Sequence, residues 1–116
     1  MNHPTQDPIN HLEFQVLLVL AEGVSYGYAI MKGVEEQSGG RYRPDVGALY
    51  RLLARLSARG LVEDKAAPKG ASFSHRGRPR NYYGLTPRGF EAVRQEAHHL
   101  ERLVSQARAH RLLPSD

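Results

Sequence analysis

The residues best suited to bind another molecule lie in one stretch that has no acidic side chain, from position 65 to position 90. Six positive charges fall within it, at Lys65, Lys69, Arg76, Arg78, Arg80 and Arg88. Residues 76–80 alternate arginine with glycine and proline, which predicts a thin, extended segment with charges spaced along it. Such a segment suits the narrow minor groove of DNA, whose negative potential attracts arginine. A flexible turn whose arginines only add solubility is the alternative interpretation.

The segment before this stretch has the pattern of an amphipathic helix, from about residue 46 to residue 59. Leu49, Leu53 and Leu56 recur at intervals of four and three residues, so they share one face. Gly60 ends the helix. The other side chains point away from the leucines, toward the solvent or a bound molecule. A helix fits the major groove of B-DNA, and small residues in its first turn would let it approach the base edges closely.

This helix, the link before it and the basic stretch after it supply the candidate DNA-binding residues. An arginine on such a helix can bind guanine through two hydrogen bonds, or it can bind a phosphate. In the alternative interpretation, Tyr50 packs under the following hairpin, while Arg51 and Arg55 are only solvated. The candidates are Tyr42, Arg43, Gly47, Ala48, Tyr50, Arg51, Arg55, Lys69, Arg76, Arg78 and Arg80.

The charge of the chain is unevenly distributed. Residues 1–40 carry one basic and five acidic side chains, for a sum of −4, whereas residues 41–116 carry 15 basic and seven acidic side chains, for a sum of +8. Such polarity within one small domain suggests a surface directed at a polyanion such as double-stranded DNA. A charged face that is merely solvated is the alternative.

Composition and length limit the remaining possibilities. A chain of 116 residues with 41% hydrophobic and 24% charged residues fits one folded domain. It has no cysteine, which excludes disulfides and thiolate metal sites. No apolar run approaches the ~18 residues of a membrane helix, and residues 1–8 lack the pattern of a signal peptide. We therefore expect a cytoplasmic protein with no membrane partner.

Motifs for catalysis or metal binding are absent from the sequence. There is no HExxH motif, Walker loop, nucleophile elbow or paired-carboxylate arrangement. The six histidines lack the spacing that would create a metal site, so we interpret them as solvated or core residues. We expect no enzymatic activity, no metal and no cofactor.

The apolar periodicity and the turn residues predict the order helix, helix, helix, strand, basic loop, strand, long helix. Asp7 and Pro8 predict the start of the first helix, and Ser25 predicts the cap of the second. Gly27 in the first turn of the second helix suggests close approach of another backbone. Strands are predicted over residues 61–65 and 80–85, with a loop between them. The last helix is predicted to run from about residue 87 to residue 112.

A heptad-like seam along the last helix suggests a second subunit. A helix of this length is too long for one small domain to cover, and such a seam requires another helix, most simply the same helix of a partner. We expect Phe90 and Val93 to face inward, and residues 100–107 to lie across a dimer. Packing against the first helix of the same domain is the alternative. The seam consists of Phe90, Val93, Ala97, Leu100, Val104 and Ala107.

These segments together resemble the PadR family of winged helix-turn-helix transcription regulators. The resemblance covers about residues 9–110 and follows the order and spacing of the family. Two features depart from it: Ala48 stands where the family often has threonine, and the chain has one helix after the wing, as in the short form of the family. The matching segments are residues 17–23, 25–31, 47–53, 56, 60–62 and 78–89.

The resemblance implies an α+β, mainly α fold with a three-helix core, a two-stranded wing and a long C-terminal dimerisation helix. It also implies a homodimeric repressor that binds a palindromic operator through the third helix and the wing, and that releases DNA when a small effector binds. The chain then divides into a tail (residues 1–8), a winged-helix domain (9–86), a dimerisation helix (87–112) and a second tail (113–116).

Two other functions remain open on the same scaffold. One is a protein-interaction module whose basic surface meets an acidic partner. The other is a small-molecule sensor with an apolar pocket between the first and last helices, where Phe14 and Phe90 would line the cavity.

Overall fold

The computed structural model describes residues 8–70 and 81–115 of the chain. Within these ranges it contains four helices and a three-stranded antiparallel sheet, which confirms the predicted α+β, mainly α fold of the winged-helix type. In chain order the elements are α1 (His11–Ala21), β1 (Ser25–Tyr26), α2 (Gly27–Gln37), α3 (Val46–Ala58), β2 (Val62–Lys65), β3 (Tyr82–Leu85) and α4 (Pro87–Ala109).

Helix α1 begins later than the Asp7–Pro8 pair predicts. The side chain of Asn10 accepts a hydrogen bond from the backbone N–H of Glu13 at 2.8 Å, and the backbone N–H of Asn10 donates to Glu13 Oε1 at 2.8 Å. This reciprocal capping box satisfies two backbone donors that a helix start otherwise leaves open. Pro8 therefore precedes the helix, and Asp7 lies outside the described residues.

The cap of α2 was also placed wrongly. Ser25 lies not at a helix cap but in β1, which pairs antiparallel with β3 in the register Ser25↔Tyr83 and Tyr26↔Tyr82. The rings of Tyr26 and Tyr82 meet edge to face, with centroids 5.4 Å apart. The sheet has the order β1-β3-β2, so the two-stranded wing gains a third, short strand.

The hydrophobic core lies between α1, α2, α3 and the sheet. α1 is buried over most of its surface and occupies the centre of the core, as its apolar sequence predicts. α3 contributes four leucines, Leu49, Leu52, Leu53 and Leu56, each no more than 2% exposed. The opposite side of α3 is therefore turned outward. Within residues 8–70 and 81–115, no helix is long and apolar enough to cross a membrane.

Of the two residues of α4 predicted to face inward, Val93 is buried and Phe90 is not. Gly89, Ala92 and Val93 form its buried stripe, while Phe90, expected to face inward, is 50% exposed. A helix turns by about 100° per residue, so the side chain next to an inward-facing Gly89 points sideways. Leu100 also packs against the core.

The C-terminal end of α4 is closed by a defined turn. The helix ends at Ala109, three residues before the predicted end. Arg111 adopts a left-handed conformation, with φ 62°, and the N–H of Leu112 donates to the carbonyl of Ala107 at 2.8 Å. This bond is the 6→1 bond of a Schellman turn, which reverses the chain and prevents the helix from continuing.

A compact junction connects the end of α3 and the start of β2 with the start of α4. Thr86 Oγ1 donates to the carbonyl of Gly60 at 2.6 Å, and the Thr86 N–H donates to the carbonyl of Leu61 at 3.1 Å. Thr86 Oγ1 also accepts from the N–H of Gly89 at 3.0 Å. A Cβ on Gly89 would lie 2.0 Å from the Leu61 carbonyl oxygen. We call Gly60, Leu61, Thr86 and Gly89 the α3–α4 junction.

The contact at Gly89 predicts a large difference between two glycines that both lie in the first turn of a helix. Gly89→Ala should lower the free energy of unfolding by at least the ~1–3 kcal/mol of a typical overpacked core, since the opposing atom belongs to the backbone. Gly47→Ala should be neutral or stabilise by up to ~1 kcal/mol, because alanine favours the helix. Its Cβ would meet the flexible end of Arg51 at 3.3 Å and Asp45 Oδ1 at an ordinary contact distance of 3.6 Å. Urea denaturation of both variants measures this difference. Equal stabilities would contradict the close approach at the junction.

Candidate nucleic-acid interface

The side of α3 opposite the leucines combines small residues with one long cation. Gly47, Arg51, Ala54 and Ala58 are all exposed there, and we call these four residues the outer face of α3. A Cβ on Gly47 would lie 3.3 Å from Arg51 Nη1, so the arginine side chain lies across the glycine. Among the described residues, no carboxylate forms an ion pair with Arg51. This face is smooth enough to approach a groove and carries its charge near the centre.

Arg55 lies on the flank of α3 beside α1. Its Nε is 3.7 Å from Glu13 Oε2, and Arg59 Nη1 is 3.7 Å from Glu13 Oε1. The Glu13 side chain is only 7% exposed, so the two arginines compensate a buried carboxylate. The candidate residues predicted from the sequence did not include Glu13. Its position three residues after Asn10 is the spacing of a capping box, which indicates a helix start but not the ion pairs with Arg55 and Arg59.

The two predicted residues in the link before α3 are both held by other helices. Arg43 Nε donates to Glu35 Oε2 of α2 at 3.1 Å. This hydrogen bond and the charge of Glu35 raise the pKa of Arg43, so the guanidinium stays protonated. The ring of Tyr42 lies 5.0 Å from the ring of His11, between centroids. Arg43 would reach a phosphate only by sharing or leaving Glu35.

Tyr50 packs against the start of α2 rather than standing free. A Cβ on Gly27 would lie 2.5 Å from Tyr50 Oη. The close neighbour of Gly27 is therefore a side chain, and the expectation of an approaching backbone was wrong. Tyr83 on β3 lies near Tyr50 and Asp64, and its pKa is raised by burial first and by these two neighbours second.

An apolar cleft opens between the first turns of α2 and α3, and we call it the α2–α3 cleft. Its volume is about 110 Å³. Tyr28 and Val46 at its rim are 61% and 56% exposed, although both are apolar or aromatic residues. Neither residue is among the candidates predicted from the sequence, because their residue types predict burial. The lining consists of Gly27, Tyr28, Met31, Val46, Leu49 and Tyr50.

The wing contributes one predicted residue within the described part of the chain. Lys69 is exposed after β2, whereas Arg76, Arg78 and Arg80 lie outside the described residues. Lys65 at the end of β2 forms an ion pair with Glu63, at 3.0 Å. Its stem crosses Gly84, where a Cβ would lie 2.9 Å from Lys65 Cγ.

A three-helix core, whose third helix turns one face outward, and a small antiparallel sheet place the chain in the class of winged helix-turn-helix proteins. The sequence model of the transcriptional regulator PadR-like family matches residues 16–95, and the chain belongs to this family. Proteins of this family are transcriptional regulators and not enzymes.

One curated protein is similar to this chain in sequence. An uncharacterized 37.1 kDa protein in transposon TN4556 of Streptomyces fradiae is 40% identical over 94 residues, which cover 81% of this chain and 24% of that protein. The chain thus spans about a quarter of the length of this curated relative.

Several solved structures have the same fold over most of the length of this chain. A PadR family transcription regulator from Clostridium difficile has a TM-score of 0.72 at 21% identity, over 87% of this chain and 98% of that chain. A transcriptional regulator from Clostridium thermocellum has a TM-score of 0.66 at 24% identity, over 90% and 91%. Bacillus subtilis PadR in complex with operator DNA has a TM-score of 0.61 at 20% identity, over 76% and 47%. At these identities the likeness shows the fold.

Proposed function

We propose that this protein is a cytoplasmic, sequence-specific DNA-binding regulator, and that it represses transcription as a homodimer on a palindromic operator. The observation that carries this proposal is the outer face of α3, where Arg51 stands among small, exposed residues. Membership in a family of transcriptional regulators supports it. The operator complex of Bacillus subtilis PadR, which shares this fold, supports it further.

The outer face of α3 is suited to the major groove. Gly47, Ala54 and Ala58 bring the helix backbone close to the base edges, and Arg51 then reaches either guanine or a phosphate. Ala48 carries no hydroxyl group, so its side chain adds no hydrogen bond to DNA. Arg55 and Arg43 already compensate Glu13 and Glu35, and they add less net charge to the interface than Arg51 does.

The wing supplies the sequence-independent part of the proposed binding. Its basic side chains would bind phosphates or enter the minor groove next to α3. They are Lys69 and, as predicted from the sequence, Arg76, Arg78 and Arg80. Contacts of this kind neutralise phosphates and release counterions, so affinity should fall steeply as the salt concentration rises.

Replacement of Arg51 tests the proposal that α3 binds in the major groove. Arg51→Ala should weaken binding to duplexes recovered from a random library by at least about fivefold and should reduce the salt dependence by about one released counterion per subunit. Arg94→Ala is the matched control, because it removes an exposed arginine of the same charge from α4. Fluorescence anisotropy at several salt concentrations measures both. An equal loss in the two variants would contradict the role of α3.

The dimer part of the proposal rests on apolar surface along α4. At 23 residues, α4 is about 35 Å long, and its C-terminal half extends beyond the core. Leu103 and Val104 are 50% and 40% exposed. Phe90, Ala97 and Val104 follow one another at intervals of seven residues along an exposed stripe, so we assign Phe90 to the proposed seam rather than to the core. A second copy of α4 would cover this stripe.

The seam residues differ in whether they pack in the core of their own subunit or are free to contact a second subunit. Val93 is buried and Leu100 packs against the core of the same subunit, whereas Ala97 is exposed and Ala107 is half-buried. Because two subunits joined along α4 would hold two α3 helices at a fixed distance, the helices could enter successive major grooves about 34 Å apart.

A charge on the exposed stripe tests this dimer. Val104→Glu should convert the protein from a dimer to a monomer of 13.0 kDa, because a carboxylate buried between two helices would lack a partner. Gln95→Glu adds the same charge at another exposed position of α4 and should leave the dimer intact. Size-exclusion chromatography with light scattering gives the masses. A Val104→Glu protein that remains dimeric would exclude this seam.

The two rival functions have weaker support from the described residues. An effector pocket lined by Phe14 and Phe90 requires both rings to share a cavity, yet Phe14 is buried in the core and Phe90 is exposed on the stripe of α4. An acidic protein partner would not account for the small residues around Arg51. We retain a small-molecule effector only as a component that would act on the DNA-bound dimer.

A further inference from the structure

The α2–α3 cleft is an apolar patch on the surface proposed to face DNA, where polar and charged contacts are expected. Tyr28, Val46 and Tyr50 are each between 44% and 61% exposed around it. Val46 is the first residue of α3 and precedes Gly47 of the outer face. Protein surfaces that bind DNA are more polar and more positively charged than other interfaces. Phosphate binding therefore does not explain this cleft.

The cleft has the chemistry of a small apolar binding site. Its six lining residues, given above, carry no charge, and Leu49 in the lining belongs to the core. The Tyr50 ring forms one wall, and its hydroxyl group is turned toward Gly27, which has no side chain to displace it. A volume of about 110 Å³ is too small for a drug-sized ligand, but it admits a methyl group.

We propose that the α2–α3 cleft binds the C5-methyl group of one thymine in each half-site, with Val46 as the residue that contacts it. This inference rests on the proposed function, since it requires the first turn of α3 to lie in the major groove. Thymine is the only standard base that presents a methyl group there. The contact selects thymine over cytosine at a position where no arginine reads the base.

Removal of the methyl group from the DNA tests this proposal directly. Duplexes recovered from a random library are resynthesised with 2′-deoxyuridine in place of one thymine at a time, which deletes only the C5-methyl group. We expect one position in each half-site where the substitution weakens binding about fourfold, as burial of one methyl group implies. Other thymines should show little change.

A pair of valine variants assigns the effect to the cleft. Val46→Ser removes both methyl groups that could contact the thymine methyl, and it should bring the ratio of thymine to uracil affinity close to one. Val24→Ser is the matched control: Val24 is 40% exposed but does not line the cleft, so the ratio should remain about fourfold in this variant. Thermal denaturation confirms that both variants are folded.

The possible results distinguish a failure of methyl recognition by the cleft from a failure of the proposed DNA-binding function. If the wild-type protein binds selected duplexes but tolerates uracil at every thymine, the cleft does not read a methyl group, while the DNA-binding function stands. A uracil effect that persists in Val46→Ser would also overturn the assignment to the cleft, and would indicate a contact elsewhere on α3. If no duplex is selected, the proposed function itself fails.

Discussion

The α3–α4 junction is the constraint on which the rest of the structure depends. The Thr86 hydroxyl joins the carbonyl of Gly60 to the N–H of Gly89, and a Gly89 without a side chain lets α4 approach the Leu61 carbonyl. The end of α3 and the start of α4 thus share one hydrogen-bonded corner. This corner sets the angle between the helix proposed to read DNA and the helix proposed to join the subunits.

Compensation of charge inside the fold distinguishes the arginines from one another. Glu13 is buried and holds Arg55 and Arg59 on the flank of α3, while Glu35 holds Arg43 beside α2. Arg51 lies on the outer face, where no described carboxylate pairs with it. The acidic N-terminal third of the chain therefore has a structural consequence: it neutralises flanking cations, and this leaves Arg51 as the central uncompensated charge of α3.

Much of the fold could be predicted from periodicity, because leucines at helical spacing in α3 and aromatic residues in β3 reflect burial directly. The errors lie where two local signals compete, or where a tertiary contact overrides a local signal. Asp7 and Pro8 resemble a helix start, but the reciprocal bonds of Asn10 and Glu13 fix a later one. Ser25 resembles a cap, but pairing with Tyr83 draws it into the sheet. No local pattern could show that Glu13 compensates Arg55, or that Tyr28 and Val46 rim an exposed cleft.

The central claim is that the α3–α4 junction of each subunit fixes the distance between the two α3 helices of the proposed dimer. Its most direct test is the affinity of the wild-type protein for inverted repeats whose half-sites are separated by successively longer spacers. The account predicts one strongly preferred spacing, with a steep loss of affinity when one base pair is inserted or removed, because each base pair also rotates the half-sites by about a tenth of a turn. Similar affinity across five consecutive spacings, measured at one salt concentration, would contradict it.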